Sequence, residues 1–331
     1  MQKLFDIIKR NKPFVGFFIL CIAVGLASAD FRSADNFLII LRQTSINFII
    51  AMGMTFVILT GGIDLSVGSV LAFSGAISAY LLSNGAPGIV AIFAALLIGA
   101  GCGLINGFLI SYGKLQAFIT TLVTMTVFRG FTLVFTGGRP IGAGKSSSLF
   151  DFIGNGYVLG IPFPILLMIL LFALTYYTLN HTRAGRYIYA IGGNEDASRL
   201  AGINTEKNKM MVYVISGVLA AIAGVIVTSR LASAQPTAGQ SYEMDAIAAA
   251  VVGGTSLAGG VGTMQGTLAG ALILGVLSNA LNLLKVSSYY QTIAKGLVIL
   301  CAVLLDQAFF KQFTNIVANK LKGIFKGASK H

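Results

Sequence analysis

The chain has 331 residues, of which 56% are hydrophobic and only 10% carry a charge. Because soluble domains have about 25% charged residues, this composition excludes a soluble globular protein and indicates a polytopic membrane protein. The net charge of +12 would also fit a nucleic-acid-binding protein. The basic residues, however, concentrate in three segments beside apolar runs, so the charge indicates membrane topology and anionic lipid rather than DNA.

Ten apolar runs are candidates for membrane-spanning helices. About 20 apolar residues cross the roughly 30 Å hydrocarbon layer, and spans buried behind other helices can be shorter. None of the runs alternates as the strands of a membrane β-barrel do. The predicted spans are residues 13–29, 43–60, 66–83, 88–112, 115–136, 161–180, 209–229, 244–258, 266–284 and 289–305. We therefore predict an all-α polytopic membrane protein with about ten transmembrane helices, some of them short or broken.

The basic segments predict the orientation of these spans. They lie before the first span, in the loop 181–209 and in the tail after the last span, and the positive-inside rule makes all three cytoplasmic. Even numbers of spans separate them, which agrees with cytoplasmic N and C termini. The predicted organisation is a cytoplasmic N terminus at 1–12, a transmembrane domain at 13–306 and a basic cytoplasmic tail at 307–331. Apolar residues share one helical face in the tail, which predicts an interfacial helix on anionic lipid.

Motifs of cofactor and metal sites are incomplete in this sequence. The stretch GGRPIGAGKSS, residues 137–147, ends like a phosphate-binding loop, but Arg139 stands where the first glycine belongs and no strand precedes it. Cys21, Cys102 and Cys301 lie far apart in apolar runs and are predicted to be buried free thiols. We expect this chain to bind no cofactor and no metal.

Glycine spacing predicts close helix packing. Small residues every fourth position let membrane helices approach closely, and two sets have this spacing: Gly99, Gly103 and Gly107, and Gly262, Gly266 and Gly270. The sequence also contains a weak internal repeat, because the pattern Gly-Gly-x-x-Leu-x-x-Gly occurs at 61–68 and again at 253–260. Transporters are often built from such repeats.

The stretch TGGIDLSVGS, residues 60–69, interrupts two uncharged runs. Gly61 and Gly62 are expected to end the second span, and Asp64 then caps the third span by accepting amide hydrogens near Ser66 and Val67. The length of the second span, about 27 Å, places Asp64 near the cytoplasmic side. A role in a transport path is the alternative, because ionisable groups at membrane depth are candidates for function.

Arg129 lies fourteen positions into the fifth predicted span with apolar neighbours, so we expect it to point inward, towards a polar partner or a transport path. Neighbouring spans add polar but uncharged side chains, which suits a neutral, hydroxyl-rich solute. The candidate path residues are Asp64, Ser66, Asn106, Gln116, Thr120, Thr121, Thr124 and Arg129.

The loop 181–209 contains the signals of a short helix at 195–201. Asn194 is a good N-cap, Glu195 and Asp196 favour the first turn, and Gly202 is a good stop signal. Such a helix is marginal in water and needs a docking partner. A solvated loop is one interpretation; a helix that couples to a cytoplasmic motor is the other. The predicted coupling residues are Asn194, Glu195, Asp196, Arg199, Leu200 and Gly202.

Long stretches of the chain resemble a known family. MGMTFVILTGGIDLSVGSVLA, GRYIYAIGGNEDASRLAGI, SAQPTAGQSYEMDAIAAAVVGGTSLAGGVGT and KVSSYYQ are similar to the membrane permease subunits of bacterial ABC importers for monosaccharides, over about residues 36–306. The resemblance implies a homodimeric, non-enzymatic pore in the inner membrane with ribose as the expected cargo. It also implies a cytoplasmic ATPase subunit with two nucleotide-binding domains, which uses ATP and Mg, and an external sugar-binding protein.

Two alternatives to a sugar importer remain open. An ion-coupled secondary transporter would be expected to carry acidic residues deep in its spans, whereas Asp64, Asp245 and Asp306 lie near predicted span ends. The same ABC machine could instead carry a nucleoside or a furanone signal, since specificity in such systems is set largely by the binding protein.

Overall fold

The computed structural model describes residues 12–144 and 147–305. These residues form thirteen α-helices, one 3-10 turn at Asp30–Arg32 and four strands of two residues each. The helices are α1 Lys12–Ala27, α2 Ala34–Leu59, α3 Val67–Ser83, α4 Gly88–Ser111, α5 Ala117–Thr136, α6 Ser148–Asn155, α7 Phe163–His181, α8 Arg183–Gly193, α9 Glu195–Leu200, α10 Thr205–Leu231, α11 Tyr242–Val252, α12 Met264–Leu283 and α13 Ser288–Leu305. The predicted tail helix lies outside the described residues.

Each of the ten predicted spans corresponds to one helix, which confirms an all-α polytopic architecture. Six helices of the described residues, α2, α4, α5, α7, α10 and α12, are long and apolar enough to cross a membrane. The number of crossings and the side of the two termini stay predictions. Two bounds differ by more than four residues from the sequence prediction: α2 begins at 34 rather than 43, and α11 ends at 252 rather than 258.

The early start of α2 is explained by polar residues that are satisfied inside the protein. The Ser33 hydroxyl accepts the amide hydrogen of Asn36 at 3.2 Å and so caps the helix. The Asn36 and Asn279 side chains exchange two buried hydrogen bonds, of 3.1 and 2.8 Å. Arg42 donates to the Gly154 carbonyl at 2.9 Å. Such contacts remove the cost of polar groups in the bundle, so hydropathy alone places the start of this helix too late.

Helix α10 is the centre of the bundle and packs against α2, α3 and α4. The predicted glycine face of α4 is confirmed, because a Cβ atom at Gly99, Gly103 or Gly107 would meet the backbone of α10. The second glycine set is only partly correct. Gly266 and Gly270 lie close to the backbone of α11 and the residue after it, but Gly262 precedes α12 and contacts Thr255 within its own loop.

The connection between α5 and α7 contains α6 and three short strands, and α6 packs against α10. Strand β1, Ile141–Gly142, pairs antiparallel with β4, Ser233–Ala234, and β2, Tyr157–Val158, pairs with β3, Ile161–Pro162. The buried Ser229 hydroxyl accepts the Gly154 amide hydrogen at 3.0 Å and thereby holds α6 to the end of α10.

The segment after α10 turns back into the bundle before α11 begins. Gly239, with φ +70°, lies against the backbone of Gly68 at the start of α3, so residues 235–241 reach the interior without forming a helix. This segment explains why the predicted span at 244–258 is short. Cys102 is buried and Cys21 is partly buried, but Cys301 is exposed in the single chain, so the prediction of three buried thiols is wrong for Cys301.

Candidate functional site

A buried hydrogen-bond network surrounds the aspartate between α2 and α3. One Asp64 carboxylate oxygen accepts the Ser66 amide at 3.0 Å and the Ser66 hydroxyl at 2.6 Å, and the other oxygen accepts the Ser216 hydroxyl at 2.8 Å. The Asn106 side-chain amide donates to the Ser66 hydroxyl at 2.8 Å. These four residues, called here the Asp64 cluster, join α4 and α10 to the N-terminal end of α3.

The local sequence explains how Asp64 reaches this position. Gly61, with φ +78°, ends α2 in the left-handed conformation, and its amide donates to the Ile58 carbonyl at 2.8 Å. The chain then turns so that Asp64, only 1% exposed, lies at the N-terminal end of α3. The bond from the Ser66 amide agrees with the sequence prediction, but α3 begins at Val67 with Ser66 as its N-cap. Asp64 therefore forms an Asx turn just before the helix rather than the predicted cap. No ion pair of the described residues includes Asp64, so hydrogen bonds and the positive end of the helix stabilise the carboxylate.

The remaining uncharged path candidates lie on α5 and are only partly brought together with this cluster. The Thr121 hydroxyl donates to the Ile63 carbonyl at 3.1 Å, next to Asp64. Thr120 and Thr124 are buried but bond to carbonyls of their own helix region. Gln116 is exposed just before α5. Nothing in this geometry tests their role in transport, which stays a prediction.

Arg129 points inward, as predicted, and its partner is backbone. Its guanidinium donates to the Pro236 carbonyl at 2.7 Å and to the Ala238 carbonyl at 2.8 Å. The Glu243 carboxylate lies within electrostatic reach. Arg129 therefore fastens α5 to the segment that turns back before α11, and it satisfies carbonyls that have no helix to bond within.

A second polar site, missed from the sequence, lies between α2, α11, α12 and α13, beside the end of α10. The Lys295 ammonium and the Asp245 carboxylate form an ion pair of 2.9 Å, beside a cavity of about 320 Å³ called here the Asp245 cavity. Its polar lining comprises Gln43, Thr44, Asn47, Arg230, Tyr242, Asp245, Ser278 and Lys295. The signal that would have found it is Lys295 itself, a lone cation in the middle of the last predicted span.

Asp245 and Asp64 both lie at helix ends, as expected, but both are buried. The sequence argument against an ion-coupled transporter assumed that a helix end is a membrane surface. Because α3 and α11 begin inside the bundle, that argument is weaker than the sequence indicated.

The loop 181–209 contains two helices rather than one. The predicted short helix is present as α9, Glu195–Leu200, with the Asn194 side chain accepting the Ala197 amide at 2.9 Å. Gly202 has φ +83°, and the next amide donates to the Ser198 carbonyl at 3.0 Å, which is the predicted stop. Leu200 is 89% exposed, and Ala197 and Ala201 beside it are exposed too. The helix thus presents an uncovered apolar face.

Ion pairs attach α9 to the rest of the bundle. Glu195 pairs with Lys209 at 2.9 Å, and Arg199 pairs with Glu206 at 2.8 Å. Lys114, which precedes α5, also pairs with Glu206 at 2.8 Å. The ion pairs therefore attach α9 to α10, and Glu206 of α10 in turn pairs with the α4–α5 turn, while the apolar residues of α9 stay exposed.

Three glycine-rich segments meet where α8 approaches the end of α2. A Cβ atom on Gly192 would contact the Leu59 carbonyl and the Gly260 amide, and one on Gly259 would contact Gly61. The Gly260 amide donates to the Leu59 carbonyl at 3.0 Å. The two copies of the internal sequence repeat, 61–68 and 253–260, thus contact each other and α8. This contact is called here the glycine junction.

Tyr189 on α8 strengthens the same junction. Its hydroxyl donates to the Gly262 carbonyl at 2.9 Å. Burial raises the pKa of this phenol above its usual value, so the hydroxyl keeps the proton that it donates. A displacement of α8 would therefore be transmitted to the turn after α2 and to the loop before α12.

Comparison with known proteins decides the family. The family described as "Branched-chain amino acid transport system / permease component" matches residues 36–303. The chain belongs to this permease family. It is 61% identical over 299 residues to the ribose import permease protein RbsC of Haemophilus influenzae, covering 90% of this chain and 93% of that protein. It is 54% identical to RbsC of Bacillus subtilis, over 91% of this chain and 94% of that protein.

More distant permeases of the family are named for other sugars. The D-allose transport system permease protein AlsC of Escherichia coli is 40% identical, with coverage of 89% of this chain and 91% of that protein. No solved structure matches the chain. The family match and the six candidate spans together identify this permease as a multi-pass protein of the bacterial inner membrane.

Proposed function

We propose that the chain is the membrane permease subunit of an ATP-driven importer for ribose or a closely similar sugar. The observation that carries the proposal is the 61% identity to a ribose import permease over nine tenths of both chains. The family description names branched-chain amino acids instead, which makes an amino acid the second cargo to test. A nucleoside or a furanone signal fits the same machine.

The proposed assembly has two copies of this chain, a cytoplasmic ATPase subunit with two nucleotide-binding domains and an external sugar-binding protein. ATP and Mg are bound by the ATPase, and this chain supplies no catalytic group and binds no cofactor. We place both termini in the cytoplasm and count ten crossings, the eighth being the turned-back segment followed by α11. This arrangement puts α8 and α9 on the same side as the ATPase.

Coupling to the ATPase is assigned to α9. Its exposed face at Ala197, Leu200 and Ala201 is the docking surface, and its ion pairs hold the helix in place while that face stays open. Helix α8 precedes α9 directly and is part of the glycine junction. A displacement of α9 by the ATPase would therefore be transmitted through α8 to the Asp64 turn and to the loop before α12. The path candidates stay part of this proposal, with Asp64, Ser66 and Asn106 also supporting the fold.

Uptake by reconstituted vesicles tests the transport class. Vesicles holding the permease with its ATPase and binding protein are expected to accumulate labelled D-ribose only when ATP and Mg are supplied on the ATPase side. A panel containing leucine, a nucleoside and a furanone checks the cargo. Uptake driven by an ion gradient, with the ATPase left out, would replace the proposal by the ion-coupled alternative.

Leu200→Asp tests the coupling surface. A charge in an apolar interface is costly to desolvate, so we expect co-purification with the ATPase to be lost while the permease inserts in normal amount. Leu159→Asp is the matched control, because Leu159 is 98% exposed, lies between β2 and β3 far from α9, and has φ +51°, which aspartate tolerates. Equal co-purification of both variants would show that α9 is not the docking element.

A further inference from the structure

The Asp245 cavity has the construction of a ligand site rather than of a packing defect. Its lining includes three charged side chains, Arg230, Asp245 and Lys295, besides several uncharged polar ones. Empty packing defects in proteins are typically apolar, because burying polar groups without partners is costly. A cavity with this lining therefore indicates a site for a polar ligand or for water.

The position of the cavity favours entry from one face of the membrane. Thr44 lies ten residues, about 15 Å, from the start of α2, and Lys295 lies seven residues, about 10 Å, from the start of α13. The start of α2 and the end of α12 lie together, because Asn36 and Asn279 bond to each other. In the proposed topology this end is external, so the cavity is in the outer half of the bundle.

The chemistry of the lining fits an uncharged, hydroxyl-rich solute. Asp245 neutralises Lys295 across 2.9 Å, which leaves Arg230 as the remaining charged side chain of the lining. The site thus combines many hydrogen-bonding groups with a single excess positive charge. Asn47 and Ser278 add donors and acceptors, and Tyr242 adds an aromatic ring. A volume of about 320 Å³ is at the small end of the roughly 300–1,000 Å³ range of ligand pockets, which suits a single monosaccharide ring.

We propose that the Asp245 cavity is the site in which a pentose-sized sugar rests inside the permease after release from the binding protein. This inference rests on the proposed function, since that function supplies the sugar. It assigns solute contact to Asn47, Tyr242, Asp245, Ser278 and Lys295, none of which is among the path residues predicted from the sequence. The Asp64 cluster then lies further along the route, at the other end of α2.

Protection of an introduced thiol tests the site directly. Ser278→Cys is made in the full-length permease after Cys21, Cys102 and Cys301 have been replaced by alanine, and the rate of modification by a small polar thiol reagent is measured. D-ribose at ten times its half-protecting concentration is expected to slow modification about tenfold by mass action. Leu284→Cys, exposed at the end of α12, is the control and should react at the same rate with and without ribose.

The outcomes separate this inference from the proposed function. Normal ribose uptake by wild-type vesicles, with no protection of the introduced thiol up to the solubility limit of ribose, would overturn the site and leave the function standing. Protection of the introduced thiol by ribose, without ribose uptake by the vesicles, would support the site and overturn the proposed transport function. Protection by inorganic phosphate but not by ribose would show an anion site and overturn the sugar assignment. If Ser278→Cys does not fold, Ala271→Cys lines the same cavity and replaces it.

Discussion

The Asp64 cluster and the Asp245 cavity solve the problem of a buried carboxylate in different ways. Asp64 is paired with no cation in the described structure and is held by three hydrogen bonds from Ser66 and Ser216. Asp245 is paired with Lys295 and borders an empty volume. About 22 Å of helix α2 separate them, taking the rise from Thr44 to Leu59.

These two arrangements indicate which buried charge stabilises the fold and which is available to a solute. A carboxylate that accepts three hydrogen bonds within the protein and is only 1% exposed has little capacity left for a ligand. A carboxylate paired with a long, flexible lysine can exchange part of that pairing for hydroxyl groups. We therefore expect changes at Asp64 to act mainly on stability and changes at Asp245 to act mainly on transport.

The largest effect is expected from Asp64→Leu. The change removes three bonds to a charged group, each contributing about 1.5–3 kcal/mol, and leaves the hydroxyls of Ser66 and Ser216 buried without an acceptor. We expect a loss of at least about 3 kcal/mol in the free energy of unfolding, seen as a much lower Tm and a low yield of purified protein. Asp64→Asn is the matched control, because an amide oxygen still accepts from Ser66. An unchanged Tm for Asp64→Leu would contradict the structural role of this cluster.

The next effect separates the two sites. Asp245→Asn or Lys295→Gln leaves one member of a partly buried pair unpaired, which costs more than removing both. We expect each single change to lower the free energy of unfolding by about 2 kcal/mol, less than for a fully buried pair because Lys295 is 30% exposed. Thermal unfolding of both single variants and of the double variant measures the coupling between the two residues.

Uptake by the same variants completes this test. The double variant is expected to regain stability but to import ribose poorly, because it no longer offers the charged groups to the sugar. A double variant that transports like the wild type would make the pair a purely structural contact.

The sequence predicted the helices well because their signal is local. Apolar runs of sufficient length, the glycine face of α4, the cap at Asn194 and the stop at Gly202 can each be identified within a few neighbouring residues. The Asp64 turn was also predicted, since Asp64 and Ser66 are two positions apart.

Contacts between distant residues could not be predicted in this way. Ser216 lies 152 positions from Asp64, and Lys295 lies 50 positions from Asp245. A span prediction from hydropathy counts each polar residue as unfavourable in a membrane helix. In the folded bundle, a hydrogen-bond or ion-pair partner on another helix offsets that cost. The start of α2 was misplaced for the same reason, because Arg42 binds the carbonyl of Gly154 rather than marking a membrane boundary.

The third prediction concerns the close packing of α4 against α10, because the Asp64 cluster joins residues of both helices. Gly103 lies one turn before Asn106 on α4, and a Cβ atom there would contact the backbone of Tyr213 and Val214. Gly103→Ala should push α4 from α10, lengthen the Asn106 to Ser66 bond and cost about 1–3 kcal/mol. Gly101→Ala is the control on the same helix, because its Cβ would meet nothing within 4 Å. Equal Tm values for the two variants would argue against close packing at this crossing.

The smallest effect is expected at the ion pairs around α9, where charge is exposed to solvent rather than buried. Lys114 is 56% exposed and pairs with Glu206, and exposed pairs contribute about 0.2–1 kcal/mol and are screened by salt. Lys114→Gln should therefore lower the free energy of unfolding by less than about 1 kcal/mol, and the difference should vanish at high ionic strength. Lys207→Gln is the comparison, because none of the ion pairs within 12–144 and 147–305 includes Lys207. A loss at Lys114 as large as that at Asp245 would mean that solvent exposure does not decide the strength of these pairs.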